Sequence, residues 1–258
     1  MLATRVRDLA GVKVSIILPA YNERENVLLL IAEIKNVLAD RPKEILVVDN
    51  NSPDGTVEAI GGKFPGDAEV RVIRRLKDRG LANSIREGLE KCSGELVVVM
   101  DSDFDHPPQY LPFMVSALSH YDCVFGSRFL YGGRMSTRPR HLLSWMFNIF
   151  VRYMTGGMIT DNLYGFFSIR REALRPCHYD GIFWGFGEYG IRLLHVLQME
   201  GLAILQIPIA SGRRKAGSGN TAFVKTFAQY VAATVQLAAQ RGRLSRSRLH
   251  ERRGSRKQ

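Results

Sequence analysis

Residues 96–108 read Leu-Val-Val-Val-Met-Asp-Ser-Asp-Phe-Asp-His-Pro-Pro. The first five residues are apolar without alternation. That pattern predicts a strand buried on both faces, as in a parallel sheet covered by helices. The run ends abruptly in three carboxylates, Asp101, Asp103 and Asp105. Outward from it, similar short runs recur at 14–18 (VSIIL), 44–48 (EILVV), 70–73 (VRVI), 123–125 (CVF) and 203–207 (AILQI). Between the first two, Val27, Leu30, Ile31, Ile34 and Leu38 fall on one face of a helix. Asn22 with Glu25 three residues on predicts a capping box at its start. Alternating strands and helices predict an α/β fold, a mainly parallel sheet with helices on both faces. In such sheets ligands bind beyond the C-terminal ends of the strands.

Chemistry is therefore expected in the segments that leave the strands. The first strand is expected to stop at Pro19, and the loop Pro19-Ala20-Tyr21-Asn22-Glu23 offers an aromatic ring, an amide and a carboxylate to a nucleoside. The second ends in Asp49-Asn50, which could read a base edge or a ribose hydroxyl. Their followers, Asn51 to Thr56, are mostly turn formers. Three acids as close as Asp101, Asp103 and Asp105 repel strongly unless a cation neutralises them. All-oxygen ligands suit Mg²⁺ or Mn²⁺ and not zinc. His106, followed by Pro107-Pro108, stands where an EF-hand needs glycine, which argues against that calcium site. Arginines form a complementary set for phosphate: Arg128 in Gly126-Ser127-Arg128, Arg138 and Arg140, then Arg213, Arg214 and Lys215.

The chain has 258 residues, 45% of them hydrophobic, enough for one large core. Cys92, Cys123 and Cys177 are odd in number and widely spaced, which predicts reduced, buried thiols. The net charge of +11 is uneven: residues 241–258 hold eight Lys/Arg against Glu251, a net +7. This tail is expected to be disordered and to favour an anionic lipid surface over nucleic acid. Two apolar segments precede it. Residues 142–154 (LLSWMFNIFVRYM) suit either a buried helix or one lying in a membrane interface, with Trp145 and Tyr153 at headgroup level. Residues 221–240 carry Phe223, Phe227, Tyr230, Val231 and Val235 along one helical face. No secretory h-region opens the chain and no run is long enough to span a bilayer. The expected organisation is a catalytic domain at 1–220 that includes a membrane-facing helix at about 141–155, an amphipathic helix at 221–240 and the tail at 241–258. The expected location is cytoplasmic, peripheral at the cytoplasmic face of a membrane.

Together these motifs resemble the inverting glycosyltransferases of the GT-A fold, and within them the dolichol-phosphate (polyprenyl-phosphate) mannose synthases. The resemblance spans about Val14 to Asn220. It rests on PxYNE at Pro19–Glu23, VVDxNSPDGT at Val47–Thr56, RGLANSIREGL at Arg79–Leu89, DxDxxHPP at Asp101–Pro108 and GSR at Gly126–Arg128. Asp161 before Gly165-Phe166, and Pro208-Ile209 with Arg214 and Gly217, complete it. It implies transfer of mannose from GDP-mannose to a polyprenyl or dolichyl phosphate. Pro19, Tyr21, Glu23, Val48, Asp49 and Asn50 would line the nucleotide pocket with Asp101, Ser102, Asp103, Arg128 and Arg214. Asp101, Asp103 and Asp105 would hold Mg²⁺ or Mn²⁺, and Asp161, Arg128 and Arg140 would act at the reacting centre. A membrane partner subunit is compatible with this family.

Four positions depart from the family pattern: Asn50, Asp105, Phe167 and Asn220. Asn50 stands where a carboxylate is usual. An amide oxygen accepts once and suits the single N3–H of uracil, whereas guanine presents two N–H groups. A UDP-sugar transferase to a lipid phosphate or a small hydroxyl acceptor is thus the alternative. A non-catalytic nucleotide-sugar-binding module is the alternative of another class. A sugar nucleotidyltransferase would want a glycine-rich, lysine-bearing loop where this chain has PAYNERE.

Overall fold

The computed structural model describes residues 6–135, 138–212 and 226–240. Seven strands form one sheet: β1 (Val14–Ala20), β2 (Lys43–Asp49), β3 (Val70–Arg74), β4 (Leu96–Val99), β5 (Cys123–Ser127), β6 (Phe167–Arg170) and β7 (Ile204–Pro208). Their order is β3-β2-β1-β4-β6-β5-β7, and every neighbouring pair is parallel except those of β6. The α/β expectation holds. The seventh strand, β6, is absent from the six that the pattern predicts. Phe-Ser-Ile-Arg is too short to show a period and has one β-branched residue.

The helices are α1 (Arg24–Val37), α2 (Thr56–Lys63), α3 (Leu81–Lys91), α4 (Leu111–Ser116), α5 (Arg138–Thr155), α6 (Tyr179–Ile182) and α7 (Tyr189–Met199), with a further helix at 226–240. Alternate strand residues point to opposite faces. Ile16, Leu18, Ile45, Val47 and Val98 meet Leu30, Ile31 and Ile34 of α1 and Leu111 and Met114 of α4 on one side. Ile17, Leu46, Val48, Val97 and Val99 meet Ile85 and Leu89 of α3 and Leu193, Leu194 and Leu197 of α7 on the other. A third, smaller core joins Phe147 and Val151 of α5 to Ile191 of α7 and Leu237 of the helix 226–240. All three cysteines are free and buried.

Two local expectations are corrected. The strand β1 does not stop at Pro19: it continues to Ala20, with Pro19 opposite Val48. The β4 ladder has already ended at Ile17 and Val99, so the missing proline N–H interrupts no ladder on that side. The capping box is also not formed. Asn22 has φ +57° and its N–H donates to Ser52 Oγ, which draws it into a turn ahead of the helix. The cap position falls on Glu23, without a side-chain cap bond, and the Arg24 N–H donates to Asp54 Oδ2 from the loop after β2.

Residues 142–154 form a helix with one buried side and one exposed apolar side. Phe147 and Val151 are buried, while Leu142, Leu143, Trp145, Met146, Ile149 and Tyr153 are exposed. Among the described residues no helix is long and apolar enough to cross a membrane.

At the sheet edge remote from the acidic loop, Glu44 clamps four segments. Its Oε1 accepts from Ser15 Oγ and from Ser93 N–H and Oγ, and its Oε2 from Arg71. Burial pushes this carboxyl up, but the hydrogen bonds outweigh it and hold the group at about 2, below its ordinary value near 4.5. A depressed carboxylate stabilises the fold above its unfolded pKa, and that contribution disappears as pH falls toward the folded value. At pH 7, Glu44→Gln is expected to lower stability by up to about 3 kcal/mol. In urea titrations the gap between variant and parent should narrow from pH 4.5 toward 2. A gap independent of pH would refute the assignment.

Candidate active site

The four central parallel strands release their chains at one edge. Because β6 runs the other way, its approach, residues 161–166, comes to that same edge, with Phe167 paired to Val99 and Phe125. Reversal of one strand thus sets Asp161 and Tyr164 beside the acidic loop.

That loop is folded around His106, which is fully buried. The Asp101 N–H donates to its Nδ1 at 2.8 Å, and its Nε2 lies 2.8 Å from the Tyr164 carbonyl oxygen. A backbone N–H can only donate and a carbonyl can only accept, so the ring is neutral with its proton on Nε2. Burial pushes its pKa down, in keeping with that state. The ring stacks on Phe166 with centroids 4.9 Å apart and meets Tyr164 edge-on. Three further bonds close the loop. The Asp105 carbonyl accepts from Tyr164 Oη and from the Gly212 N–H, and Ser102 Oγ donates to the Pro19 carbonyl. Asp103 Oδ1 accepts from the Asp105 N–H.

The Asp105 carboxyl is pushed up, first by burial and also by the charges of Asp101 and Asp103. A half-buried acid beside two others, all with oxygen donors, fits a hard divalent cation. Among the described residues, however, no three of His, Cys, Asp and Glu converge on a common point as a metal would require.

Arg128 leaves β5 and is held by Asp161. Its Nε donates to Oδ2 at 2.7 Å, its Nη2 to Oδ1 at 2.9 Å, and its backbone N–H to Oδ2 at 3.1 Å. Both side chains are buried, and the guanidinium lies 4.6 Å above the Tyr164 ring. Burial would lower the Arg128 pKa, but Asp161 outweighs it and the value rises. The sequence motifs contain both residues but nothing in them shows their pairing. Nor do they assign a role to His106 or Tyr164. The signal available for His106 was its place in the turn after an acidic strand end, which equally suits an exposed residue.

The proposed nucleoside residues also come together. The Asn50 N–H donates to the Ala20 carbonyl, and Tyr21 is half exposed above the loop. Val48 is fully buried within β2, behind the surface. Glu23 accepts from Asn26 Nδ2, and both Asp49 oxygens are turned onto Ser52. Asn50 Oδ1 accepts from Ser84 Oγ at 2.9 Å and from the Gly80 N–H at 3.4 Å. Since an N–H can only donate, the amide orientation is fixed, and what Asn50 has left to offer is its NH₂. The acceptor that would suit a uracil N3–H is therefore already used inside the protein. Glu188 is buried, and its Oε2 accepts from the Phe186 N–H. Arg140 is exposed on the first turn of α5, and Arg213, Arg214 and Lys215 lie outside the described residues.

The family model described as glycosyl transferase family 2 matches residues 15–177. The chain is 33% identical to a dolichol-phosphate mannosyltransferase of Pyrococcus furiosus over 91% of its own length, and spans 66% of that protein. It is 32% identical to an undecaprenyl-phosphate mannosyltransferase of Micrococcus luteus, with 80% of this chain and 86% of that one aligned. Among solved structures it is similar to glucosyl-3-phosphoglycerate synthase from Mycobacterium tuberculosis, in complex with Mn²⁺, UDP and glucosyl-3-phosphoglycerate. The TM-score is 0.68, with 22% identity and 90% and 81% of the two chains covered. That likeness establishes the GT-A-type fold.

The Arg128–Asp161 pair yields a stability prediction. Removing one partner of a buried ion pair leaves the other charge uncompensated, at a cost of about 3–5 kcal/mol. Asp161→Ala should show that loss in urea denaturation, and a loss below about 1 kcal/mol would show that the pair does not close Arg128 into the fold.

Proposed function

The chain belongs to glycosyl transferase family 2, and on that footing we propose that it transfers mannose from GDP-mannose to a polyprenyl phosphate at a membrane surface. One observation carries the acceptor. A hydroxyl acceptor needs a positioned base to take its proton. Among the described residues, the carboxylates placed at this edge outside the acidic loop are engaged elsewhere: Asp161 with Arg128, Glu188 with the Phe186 N–H, Glu23 with Asn26 and Asp49 with Ser52. A phosphate monoester needs no base, because its second pKa is about 6 and its oxygen is already anionic at pH 7. It can attack the anomeric carbon directly, with inversion.

Asp101, Asp103 and Asp105, which do not converge as they stand, would hold a Mg²⁺ or Mn²⁺ ion once their side chains turn toward it. Bound there, the ion would offset the charge of the departing nucleoside diphosphate. Arg128, kept charged and oriented by Asp161, lies at the same edge to meet phosphate oxygens, and Arg140 and Arg214 are placed by sequence to add to it. Tyr21 offers its ring for stacking on the base. The NH₂ of Asn50 suits a base carbonyl, present in guanine as well as uracil, so Asn50 no longer favours UDP. The named activities of the relatives favour a mannosyl donor.

The exposed apolar face of α5, with Phe227 and Val235 on the helix 226–240, supports peripheral contact with a bilayer. Trp145 and Tyr153 have the amphipathic character of interfacial residues. The basic residues 241–258 would add attraction to anionic lipid.

Two outcomes follow. Asp103→Ala should abolish mannosyl transfer while leaving the melting temperature within about 2 °C of the parent, because its carboxylate faces a loop and not the core. Full turnover in that variant would remove the metal assignment. In a thermal-shift panel of GDP, UDP and CMP with Mn²⁺, GDP should stabilise most. Stabilisation by UDP alone would overturn the mannose donor.

A further inference from the structure

Asp161, which holds Arg128, is itself gripped through its two neighbours in the chain. On one side the Thr160 N–H donates to Gln206 Oε1 of β7 at 2.7 Å, and Thr160 Oγ1 lies 2.7 Å from Ser127 Oγ of β5. On the other side the grip comes from a helix. The Asn162 N–H donates to Asn148 Oδ1 of α5 at 2.7 Å, and Asn162 Nδ2 adds a second bond to the same oxygen at 3.2 Å. Asn148 is 1% exposed, on a helix whose other side is apolar and open to solvent. Its own Nδ2 donates to the Ser144 carbonyl one turn back at 2.9 Å, so the amide is fixed with its oxygen toward Asn162. Gly190 of α7 completes the seat, since a Cβ there would lie 2.7 Å from the Asn162 carbonyl oxygen.

We propose that Asn148 is a positioning residue for the transfer reaction: through the Asn162 amide and Asp161 it aims Arg128, and so ties the reacting centre to the helix that carries the exposed apolar face. The inference rests on the phosphate-binding reading of Arg128. A buried amide on an amphipathic helix costs free energy unless its bonds are made. Here they hold the peptide that joins Asp161 to Asn162. That peptide sets the direction in which the Asp161 carboxylate leaves the chain. The carboxylate, bonded to Nε and Nη2 at once, sets the direction of the guanidinium. An apolar residue in place of Asn148 would fill the space but leave the Asn162 N–H buried without an acceptor. A group that meets phosphate is held in its productive geometry by the shell of bonds behind it.

In the full chain, Asn148→Leu removes the acceptor and keeps the volume. Exchange of the Arg128 Nε–H, the proton given to Asp161, would be followed by NMR without substrate, beside that of the buried Val98 N–H in β4. Exchange at Arg128 should quicken about tenfold, with a smaller change at Val98. No change at Arg128 would overturn the proposal, and so would an equal change at both, which reports global stability alone. Mannosyl transfer from GDP-mannose to a polyprenyl phosphate in detergent, well below the melting temperature, gives the second measurement. The variant's kcat/KM should fall about tenfold, but less than about twofold when the same change is made beside Arg128→Lys, which keeps the charge and not the paired bonds. Equal losses in the two backgrounds would overturn the proposal. Asn148→Ala removes the same oxygen and takes over both measurements if the leucine variant does not fold. A parent chain that transfers mannose to no lipid phosphate would overturn the proposed reaction and the part of Asn148 in it, while exchange at Arg128 would still show whether Asn148 holds the arginine.

Discussion

A neutral imidazole sealed away from water holds the acidic loop in shape. His106 uses one ring nitrogen on the Asp101 N–H and the other on the Tyr164 carbonyl, and so ties the end of β4 to the approach of β6. Each bond satisfies a backbone group that would otherwise be buried alone. Three carboxylates cannot be packed closely by their own preference. The loop must be closed by groups that carry no charge, and an imidazole with both nitrogens bonded does this without adding to the local field. The Asp105 carbonyl, bonded to Tyr164 Oη and the Gly212 N–H, closes the other side. The three acids are left on a loop held together by uncharged hydrogen-bonding groups.

The frame depends in turn on the reversal of β6. Were that strand parallel to its neighbours, Asp161 and Tyr164 would enter at the opposite edge, some four residues of strand away. Arg128 would then leave β5 without a counter-ion. The antiparallel strand delivers a carboxylate to the guanidinium and a ring beneath it, so the arginine is fixed in direction as well as in charge. A positioned arginine loses less freedom on meeting a phosphate than a mobile one.

Much of this was legible in the sequence where a signal was dense and local. The apolar run before Asp101 announces both a buried strand and the edge at which it ends, and the periodicity of α1 is unambiguous. What escaped was non-local or too short to be periodic. The strand β6 has four residues and no alternation. The pairing of Arg128 with Asp161 joins positions 33 apart in sequence. The amide of Asn50 looks like a free acceptor in sequence because nothing near it announces Gly80 and Ser84, which occupy that oxygen. Asn22 has the chemistry of a helix cap but is drawn aside by Ser52, thirty residues on. Pro19 has the look of a terminator because a proline usually interrupts a ladder, yet here it sits where the β4 ladder has already finished.

The third core has a temporal consequence. Its members Phe147, Val151 and Ile191 are synthesised well before Leu237 arrives to cover them. On a ribosome that adds about 5–20 residues per second, α5 emerges apolar on both sides and stays so for several seconds. Through that interval the nascent chain displays a sticky cylinder to whatever lies nearby, whether chaperone, another nascent chain or lipid. Only when the helix 226–240 docks does one side of the cylinder become interior. This flank of α5 therefore closes only after the sheet, the acidic loop and the Arg128–Asp161 pair have been synthesised, and a product released before Leu237 would have those parts but an open flank.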